Sequence, residues 1–389
     1  MESLPLSFAV LLNHLYGAVQ QIADPRQPSN ATRYKLGEVI LGAFSVFFMQ
    51  CESFLEHQRQ MQSRRGKDNA QSLFGIGEIP SCAQIRNLLD EVAAVGLFEV
   101  FFQVYAALRR GRYLQPYEQV IALAPEFVTP QDGHDKQDCE VTAAKRWISA
   151  HADRLQPQPI TLLGDDLYSH QPLCEPCLAH PLSFIFTGLS ESHSALYDRL
   201  DYLDANGQVK TFEQVQWNKC TKEIYRYRYV NAVPLRDTQP ALLVNGCELT
   251  LVRESDGKVL YFNAFVTDHD LTPETVPHVV GAGRSRWKTE NENHNVLKTK
   301  GYHLEHNFGQ GQHHLASSLL TLNLLAFLFH TVLHLVDDSY QQIRHKRGTR
   351  KGFFQDILAL TQYLWFESWQ HLLDFMLSDS PPAQTADSS

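Results

Sequence analysis

Residues 315–336, LASSLLTLNLLAFLFHTVLHLV, contain no Asp, Glu, Lys or Arg and constrain the fold more than any other segment. A helix of this length is long enough to span a bilayer, but the central helix of a large protein core has the same composition. Within the segment, Asn323, His330, His334 and several hydroxyl side chains would all need polar partners in lipid. We therefore predict a buried core helix that packs against N-terminal helices or against the polar helix described below. A membrane-anchored protein is the alternative.

The cysteine content and the N-terminus favour a cytoplasmic protein. Seven cysteines, an odd number spread over 389 residues, fit reduced thiols better than a disulfide framework. Cys174 and Cys177 form an isolated CxxC pair, and with His170 and His180 nearby a zinc site is the alternative to a structural role. No cationic segment precedes the first apolar run, so we expect no cleaved signal peptide. The expected location is the cytoplasm, without membrane contact.

The hydrophobic pattern changes along the chain and predicts an α/β protein flanked by helical regions. Residues 1–112 have helical periodicity, and residues 113–207 alternate short apolar strands with helices. Residues 208–267 are predicted to be a β-rich insertion, in which Asp256-Gly257 indicates a hairpin turn. The remaining predicted segments are 268–310 with a polar helix, the C-terminal helices 311–377 and a disordered tail at 378–389.

One carboxylate follows a predicted buried strand. Asp165 comes directly after the apolar segment 159–164. The carboxyl end of a buried strand is where α/β folds place their binding and catalytic sites. A turn or helix cap is the structural alternative for a single aspartate.

A second candidate carboxylate lies in the polar helix predicted over residues 284–299. With 3.6 residues per turn, Arg286, Glu290 and His294 share one face of that helix. The alternative is a solvated helix with i,i+4 ion pairs. Such a helix seldom has a tryptophan between two basic residues, as Trp287 is here, so the functional interpretation is favoured.

These motifs resemble those of bacterial insertion-sequence transposases of the DDE class, whose glutamate helix has the pattern Tyr-x2-Arg-x3-Glu-x6-Lys. With the β-rich insertion and the helical ends, the resemblance covers most of the chain. It implies a ribonuclease-H-like core formed by residues 113–207 and 268–310. The matching segments are Leu163-Gly-Asp165-Asp-Leu-Tyr, Arg286-Trp287-x-x-Glu290 and Gly301-Tyr-His-Leu-Glu-His-Asn-Phe-Gly.

The resemblance implies a role for each of the two carboxylates. Asp165 matches the second catalytic aspartate of the family, and Glu290 matches the catalytic glutamate. Both would be ligands of Mg²⁺, of which the intact family site binds two ions. Carboxylate oxygens are the hard ligands that Mg²⁺ prefers. We expect Asp165 and Glu290 to converge on this one site.

The match to the glutamate motif is incomplete. Arg286 stands at the arginine position, but the tyrosine position falls on Gly283. The lysine position falls on Leu297, and Lys298 is one residue later. Glu292 therefore remains an alternative to the assigned glutamate.

A larger departure concerns the first catalytic aspartate, which the family places on the first strand of a hairpin meander. Only residues 118–125 have a strand pattern between the N-terminal helices and the following turn, where about three strands are expected. Asp132, Asp135 and Asp138 are the nearest aspartates, but they follow this strand and have the pattern of turn and cap residues. We expect that the strand with the first aspartate is missing, as in an internally deleted copy.

Local basic clusters favour a DNA partner despite a formal net charge of −9. The run RHKRGTRK at 344–351 could contact phosphates or be a solvated loop. In the insertion, Lys219, Lys222, Arg226 and Arg228 form a further cluster. Trp217 beside it could stack on an extruded base or be buried. The predicted DNA-binding residues are Arg286, Lys298, Arg344, Lys346 and Arg347.

The functional hypothesis is a DDE-type transposase that acts on the ends of an insertion sequence. By resemblance, the enzyme cleaves phosphodiester bonds with Mg²⁺, joins the ends to target DNA and works as a homodimer on double-stranded DNA. Loss of the first aspartate predicts impaired cleavage. The alternative is a remnant that binds the DNA ends without cutting them.

Overall fold

The computed structural model describes most of the chain, which falls into two compact units. Residues 1–116 and 294–389 belong to the first unit, and residues 117–293 to the second. The described residues are 6–27, 33–61, 68–115, 120–122 by their backbone alone, 140–155, 160–219, 221–306, 308–309 and 311–378.

The described part of the first unit is helical. Its N-terminal helices are α1 (Phe8–Gln21), α2 (Leu36–Phe48), α3 (Phe54–Met61), α4 (Asn69–Phe74), α5 (Cys82–Asp90) and α6 (Val95–Arg110). Numbered in chain order, its C-terminal helices are α11 (Asn295–Thr299), α12 (Leu315–Val336), α13 (Asp338–Arg347), α14 (Arg350–Tyr363) and α15 (Trp369–Leu377).

Two apolar helices, α2 and α12, form the centre of this unit. Helix α12 packs against α2, and also against α1, α5 and α6. None of its leucines is exposed. The prediction that residues 315–336 pack inside the protein against N-terminal helices is confirmed.

Several polar side chains of α12 find partners inside the unit. Ser318 Oγ donates to the carbonyl oxygen of Val92 at 2.7 Å, and Asn323 Nδ2 donates to that of Tyr302 at 2.7 Å. Among the described helices, α12 alone is long and apolar enough to cross a membrane, unless the bent pair α5 and α6 is counted as one span. Burial of polar groups with partners is what a core helix requires.

The second unit alternates strands and helices. Its strands are β1 (Val120–Ala122), β2 (Ile160–Gly164), β3 (Leu182–Thr187), β4 (Lys210–Asn218), β5 (Thr221–Pro234), β6 (Leu243–Arg253) and β7 (Val259–Thr267). Its helices are α7 (Glu140–His151), α8 (Gln171–Ala179), α9 (Ser194–Ala205) and α10 (Val276–Ser285).

The seven strands form one mixed sheet in the order β1-β2-β3-β7-β6-β5-β4. Strands β1, β2 and β3 are parallel, β3 and β7 are antiparallel, and the remaining pairs are antiparallel. The α/β fold class is therefore confirmed. The predicted β-rich insertion extends the same sheet through the β3–β7 pair, and Gly257, with a φ of 67°, lies in the predicted turn between β6 and β7.

The polar helix predicted over residues 284–299 is not continuous. Helix α10 ends at Ser285, a π-helical segment spans Thr289–His294, and α11 follows. A π-helix closes i→i+5 hydrogen bonds, so its residues per turn exceed 3.6. The residues are therefore not one continuous α-helix, and a shared face for Arg286, Glu290 and His294 stays a prediction.

Candidate functional site

Asp165 lies at the carboxyl end of β2, the middle of the three parallel strands. All five residues of β2 are buried, and Asp165 itself is partly exposed. Its Oδ1 accepts a hydrogen bond from the backbone N–H of Leu167 at 3.0 Å and thereby caps the short turn Asp166–Tyr168. Asp165 therefore follows a buried strand, as predicted, and also caps a turn, while its catalytic role stays a prediction.

The neighbouring Asp166 has a structural role. Its Oδ1 accepts from the backbone N–H of Leu189 at 3.0 Å and from Ser192 Oγ at 2.6 Å. These bonds tie the loop after β2 to the loop after β3. Of the two neighbouring aspartates, Asp165 is the one whose side chain does not join these loops.

A buried serine and histidine complete this tie. Ser169 Oγ donates to the Asp166 carbonyl oxygen at 2.6 Å and lies 2.6 Å from His193 Nε2, which therefore donates to it. Burial lowers the pKa of His193, with a further lowering from His170 and an opposing effect of Asp166. The neutral imidazole is a structural donor here. Sequence reasoning missed Ser192 and His193, because nothing local in the sequence indicates their long-range bonds.

Over the residues that the structure describes, β1, which lies beside the Asp165 strand, contains no carboxylate. In the parallel β1–β2 ladder, Ile121 pairs with Leu162 and Ala122 with Leu163. The three residues of β1 are Val, Ile and Ala. Asp132, Asp135 and Asp138 lie outside the described residues.

The two candidate glutamates lie in the π-helical segment Thr289–His294. Glu292 is exposed. The backbone of Glu290 belongs to the same segment, but its side chain lies outside the described atoms. The convergence of Asp165 and Glu290, and the choice between Glu290 and Glu292, stay predictions.

The described residues do not form the carboxylate cage that a pair of Mg²⁺ ions needs. No three His, Cys, Asp or Glu side chains among them are grouped so that they could hold a metal. Asp165 provides one carboxylate, and one of its oxygens already caps a turn. A single Mg²⁺ is often bound by one or two carboxylates with water and phosphate oxygens. Asp165 could contribute to that simpler kind of binding.

The CxxC pair belongs to the protein interior. Cys174 and Cys177 lie in α8 and are both buried. Burial raises the pKa of Cys174, and it raises that of Cys177 to about 12. Zinc ligation requires thiolates, so these two thiols fit a structural role.

Ion pairs neutralise much of the predicted basic cluster in the insertion. Lys222 pairs with Glu254, and Arg226 Nε lies 2.7 Å from Glu213 Oε1. Arg228 contacts two carboxylates, those of Asp204 at 3.0 Å and Glu248 at 3.1 Å. This face of the sheet is therefore less positive than the sequence indicates.

The five predicted DNA-binding residues have partners or neighbours within the protein. Lys298 Nζ lies 2.9 Å from Glu305 Oε1, and Arg347 Nε lies 2.6 Å from Asp356 Oδ2. The Arg344 guanidinium lies over the Phe353 ring at 5.5 Å from its centroid. Arg286 and Lys346 also interact with other residues.

Trp217 is the most exposed large hydrophobic residue of the second unit that the structure describes, with 71% of its surface accessible. It lies on β4, the strand at one edge of the sheet, opposite Lys222 on β5. The interpretation of Trp217 as a buried residue is wrong, because most residues of β4 are exposed on both faces of the strand. Its ring is available for stacking.

Comparison with protein-family models and with curated protein sequences finds no match for the chain. The likeness to DDE transposases therefore depends on the motif residues themselves.

Proposed function

We propose that this chain is a DDE-type transposase that binds insertion-sequence DNA ends and is impaired in phosphodiester cleavage. One observation carries the proposal. Asp165 stands at the carboxyl end of the middle strand in a parallel β1–β2–β3 arrangement, and β1 beside it has no carboxylate. The position of Asp165 fits the end of the sheet at which the family places its catalytic residues. The absence of a carboxylate on β1 would explain impaired cleavage.

The expected impairment follows from the charge that phosphoryl transfer requires. Two divalent ions about 4 Å apart stabilise the attacking and leaving oxygens in this class of reaction. Three carboxylates hold such a pair in the family, and one of them bridges both ions. Val120, Ile121 and Ala122 have no oxygen in their side chains to replace that bridge. A catalytically dead DNA-binding remnant is the limiting case of the same proposal.

DNA binding is supported by basic segments in both units and by the exposed Trp217. Phosphate contacts gain free energy by releasing condensed counterions from DNA. Several of the predicted contacts would have to exchange an internal carboxylate for a phosphate, as Lys298 and Arg347 would. A tryptophan on an edge strand can stack on a base regardless of sequence. The proposed partner is double-stranded DNA bound by a homodimer, in the cytoplasm and without a membrane.

The binding part of the proposal is tested by fluorescence anisotropy with two labelled duplexes. One duplex contains the terminal sequence of the element that encodes the chain, and the other is a scrambled sequence of equal length. We expect tighter binding of the terminal sequence, with an affinity that falls steeply with salt concentration. Equal affinity for both duplexes would show that the chain does not recognise the terminal sequence. No binding at low salt would show that DNA is not its partner.

Trp217→Ala tests the contribution of the exposed ring. Because stacking on an aromatic ring is worth about 1–3 kcal/mol per base, we expect roughly a fivefold or greater loss of DNA affinity at unchanged stability. Val215→Ala, on the same face of β4 and also exposed, is the matched control. If both variants bind like the parent chain, β4 is not a DNA-contacting surface.

A further inference from the structure

Two arginines of the first unit converge on one buried tyrosine. Arg350, the first residue of α14, donates from Nη1 to the hydroxyl of Tyr302 at 3.1 Å, and its guanidinium also lies near the Tyr302 ring. Arg344 on α13 acts electrostatically on both Tyr302 and Arg350. Tyr302 is 1% exposed, so Arg350 contacts a residue of the core, and Arg344 lies over the neighbouring Phe353 ring.

Arg344 and Arg350 differ from the nearby Arg347 in having no carboxylate partner among the described residues. Arg347, between them in sequence, pairs with Asp356. Among the residues that the structure describes, neither Arg344 nor Arg350 forms an ion pair with Asp or Glu. Burial and the nearby Arg350 lower the pKa of Arg344. Like charges held together at a partly buried position are costly unless an anion joins them.

One hydrogen-bond donor of this group lacks an acceptor. Arg344 Nη1 is shielded from solvent and has no partner in the described part of the chain. Buried donors are almost always satisfied in proteins, and an unsatisfied one indicates an absent water, ion or ligand. The unmet group is a donor, so the missing partner is an acceptor. The buried Gln50 side chain lies beside the Tyr302 hydroxyl and places an amide at the same position.

Unusual backbone conformations surround the same tyrosine. Gln50 and His303 have positive φ angles of 55° and 51°, although neither is glycine. Gly301 has a φ of 98°, and a Cβ at that position would lie 2.2 Å from Gln50 Oε1. Backbone strain of this kind persists where surrounding structure enforces it, often at ligand sites.

We propose that Arg344, Arg350 and Gln50 form a binding site for a phosphate oxyanion at Tyr302. The planar guanidinium fork matches phosphate oxygens, and two forks would bind one phosphate from two sides. Arg344 and Arg350 are both partly exposed, so an anion can approach from the surface. The amino end of α14, capped by Thr349, adds a favourable dipole. The assignment of this phosphate to the DNA backbone rests on the proposed function.

Thermal unfolding of the full chain in inorganic phosphate tests the site without DNA. At constant ionic strength, exchange of chloride for phosphate at about ten times its Kd should raise the Tm by roughly 2–5 °C. Arg344→Gln and Arg350→Gln should lose most of this increment. Arg33→Gln removes an equal charge from the same unit, at an exposed ion pair with Glu78, and should keep it.

The increment is measured against each variant's own Tm in chloride, so a lower starting stability does not obscure the result. If a glutamine variant does not fold, as judged by circular dichroism, Arg350→Lys serves instead. Lysine keeps the positive charge but cannot donate two parallel hydrogen bonds to a phosphate. We therefore expect a smaller rise of the Tm in phosphate than in the parent chain. An equal rise of the Tm in the parent chain and in the Arg344 and Arg350 variants would overturn the proposed site. The absence of any rise in the parent chain would also overturn it.

A second arm identifies the source of the phosphate. In fluorescence anisotropy with duplex DNA, each lost phosphate contact should reduce the slope of log affinity against log salt by about 0.9. If phosphate raises the Tm but the chain does not bind DNA, the phosphate site is supported and the proposed function is rejected. If both variants bind DNA with an unchanged slope of log affinity against log salt, and phosphate does not raise the Tm, the phosphate site is rejected. The proposed function would still stand.

Discussion

The parallel and antiparallel halves of the sheet in the second unit differ in strand length and in charged side chains. The antiparallel half, β4–β7, has strands of 9 to 14 residues that are linked by ion pairs. In the described part of the chain, the parallel half, β1–β3, has strands of 3 to 6 residues, and β1 contains no carboxylate. Yet Leu163 of the parallel half and Leu249 of the antiparallel half share one hydrophobic cluster. Burial can therefore hold the two halves in one sheet without a carboxylate on β1, because packing needs apolar area and not specific carboxylates.

The largest expected effect tests whether both halves depend on this one core. Leu163→Ala and Leu249→Ala remove side chains that are 1% and 0% exposed, so each should lower the free energy of unfolding by about 2–5 kcal/mol. Leu243→Ala, on β6 but 61% exposed, is the control and should cost less than about 1 kcal/mol. Urea denaturation measures all three. If Leu163→Ala were as mild as Leu243→Ala, the parallel half would not be part of the shared core.

A smaller effect is expected at the loops that follow β2 and β3. Ser192→Ala removes a donor at 2.6 Å from Asp166 Oδ1 and should cost about 1 kcal/mol. Ser190→Ala is the control, because the exposed Ser190 hydroxyl makes only a long contact of 3.4 Å to Glu191. Equal stability of the two variants would show that the Asp166 bond does not hold these loops together.

Acid should weaken the parallel half selectively. Burial lowers the pKa of His193, so the folded state favours the neutral ring while the unfolded chain protonates near its ordinary pKa of about 6.5. The unfolded state therefore binds more protons below that pH, and the stability due to His193 falls as the pH decreases. Residues 208–267 contain no histidine.

Hydrogen exchange between pH 7 and 5, corrected for intrinsic rates, measures this difference. We expect amides after β2 and β3 to lose protection while those of β5 and β6 keep theirs. In His193→Gln the difference between the halves should shrink. Equal loss in both halves of the parent chain would contradict the assignment to His193.

The smallest effect is expected at the exposed ion pairs of the antiparallel half. The Arg226 and Glu213 side chains are both more than half exposed, so their pair should contribute less than about 0.5 kcal/mol. A double-mutant cycle with Arg226→Ala and Glu213→Ala measures that coupling. A coupling above about 1 kcal/mol would mean that these pairs, and not strand length alone, stabilise the antiparallel half.

Local patterns predicted much of this fold, and long-range geometry explains what they missed. Buried strands, the Asp256-Gly257 turn and the core helix α12 follow from hydrophobic period and turn chemistry. The π-helical segment at Thr289–His294 does not, because the period used for residues 284–299 assumes an unbroken α-helix. The exposure of Trp217 depends on β4 being an edge strand, which only the strand order reveals.

The same limit applies to the candidate sites. Asp165 was found because a strand end is visible in sequence, whereas its neighbour's bond to Ser192 joins residues 26 positions apart. Arg350 lies in the predicted basic run but was not singled out. Its distinguishing contact is with Tyr302, 48 residues away in sequence.

Metal-dependent nicking of a labelled duplex that carries the element's end tests the central claim most directly. With Mg²⁺ or Mn²⁺, the account predicts no more nicked product from the parent chain than from Asp165→Asn, while both still bind the duplex. Robust nicking by the parent chain that disappears in Asp165→Asn would contradict the account. If it also disappeared in Asp132→Ala, Asp132 would serve as the first catalytic aspartate.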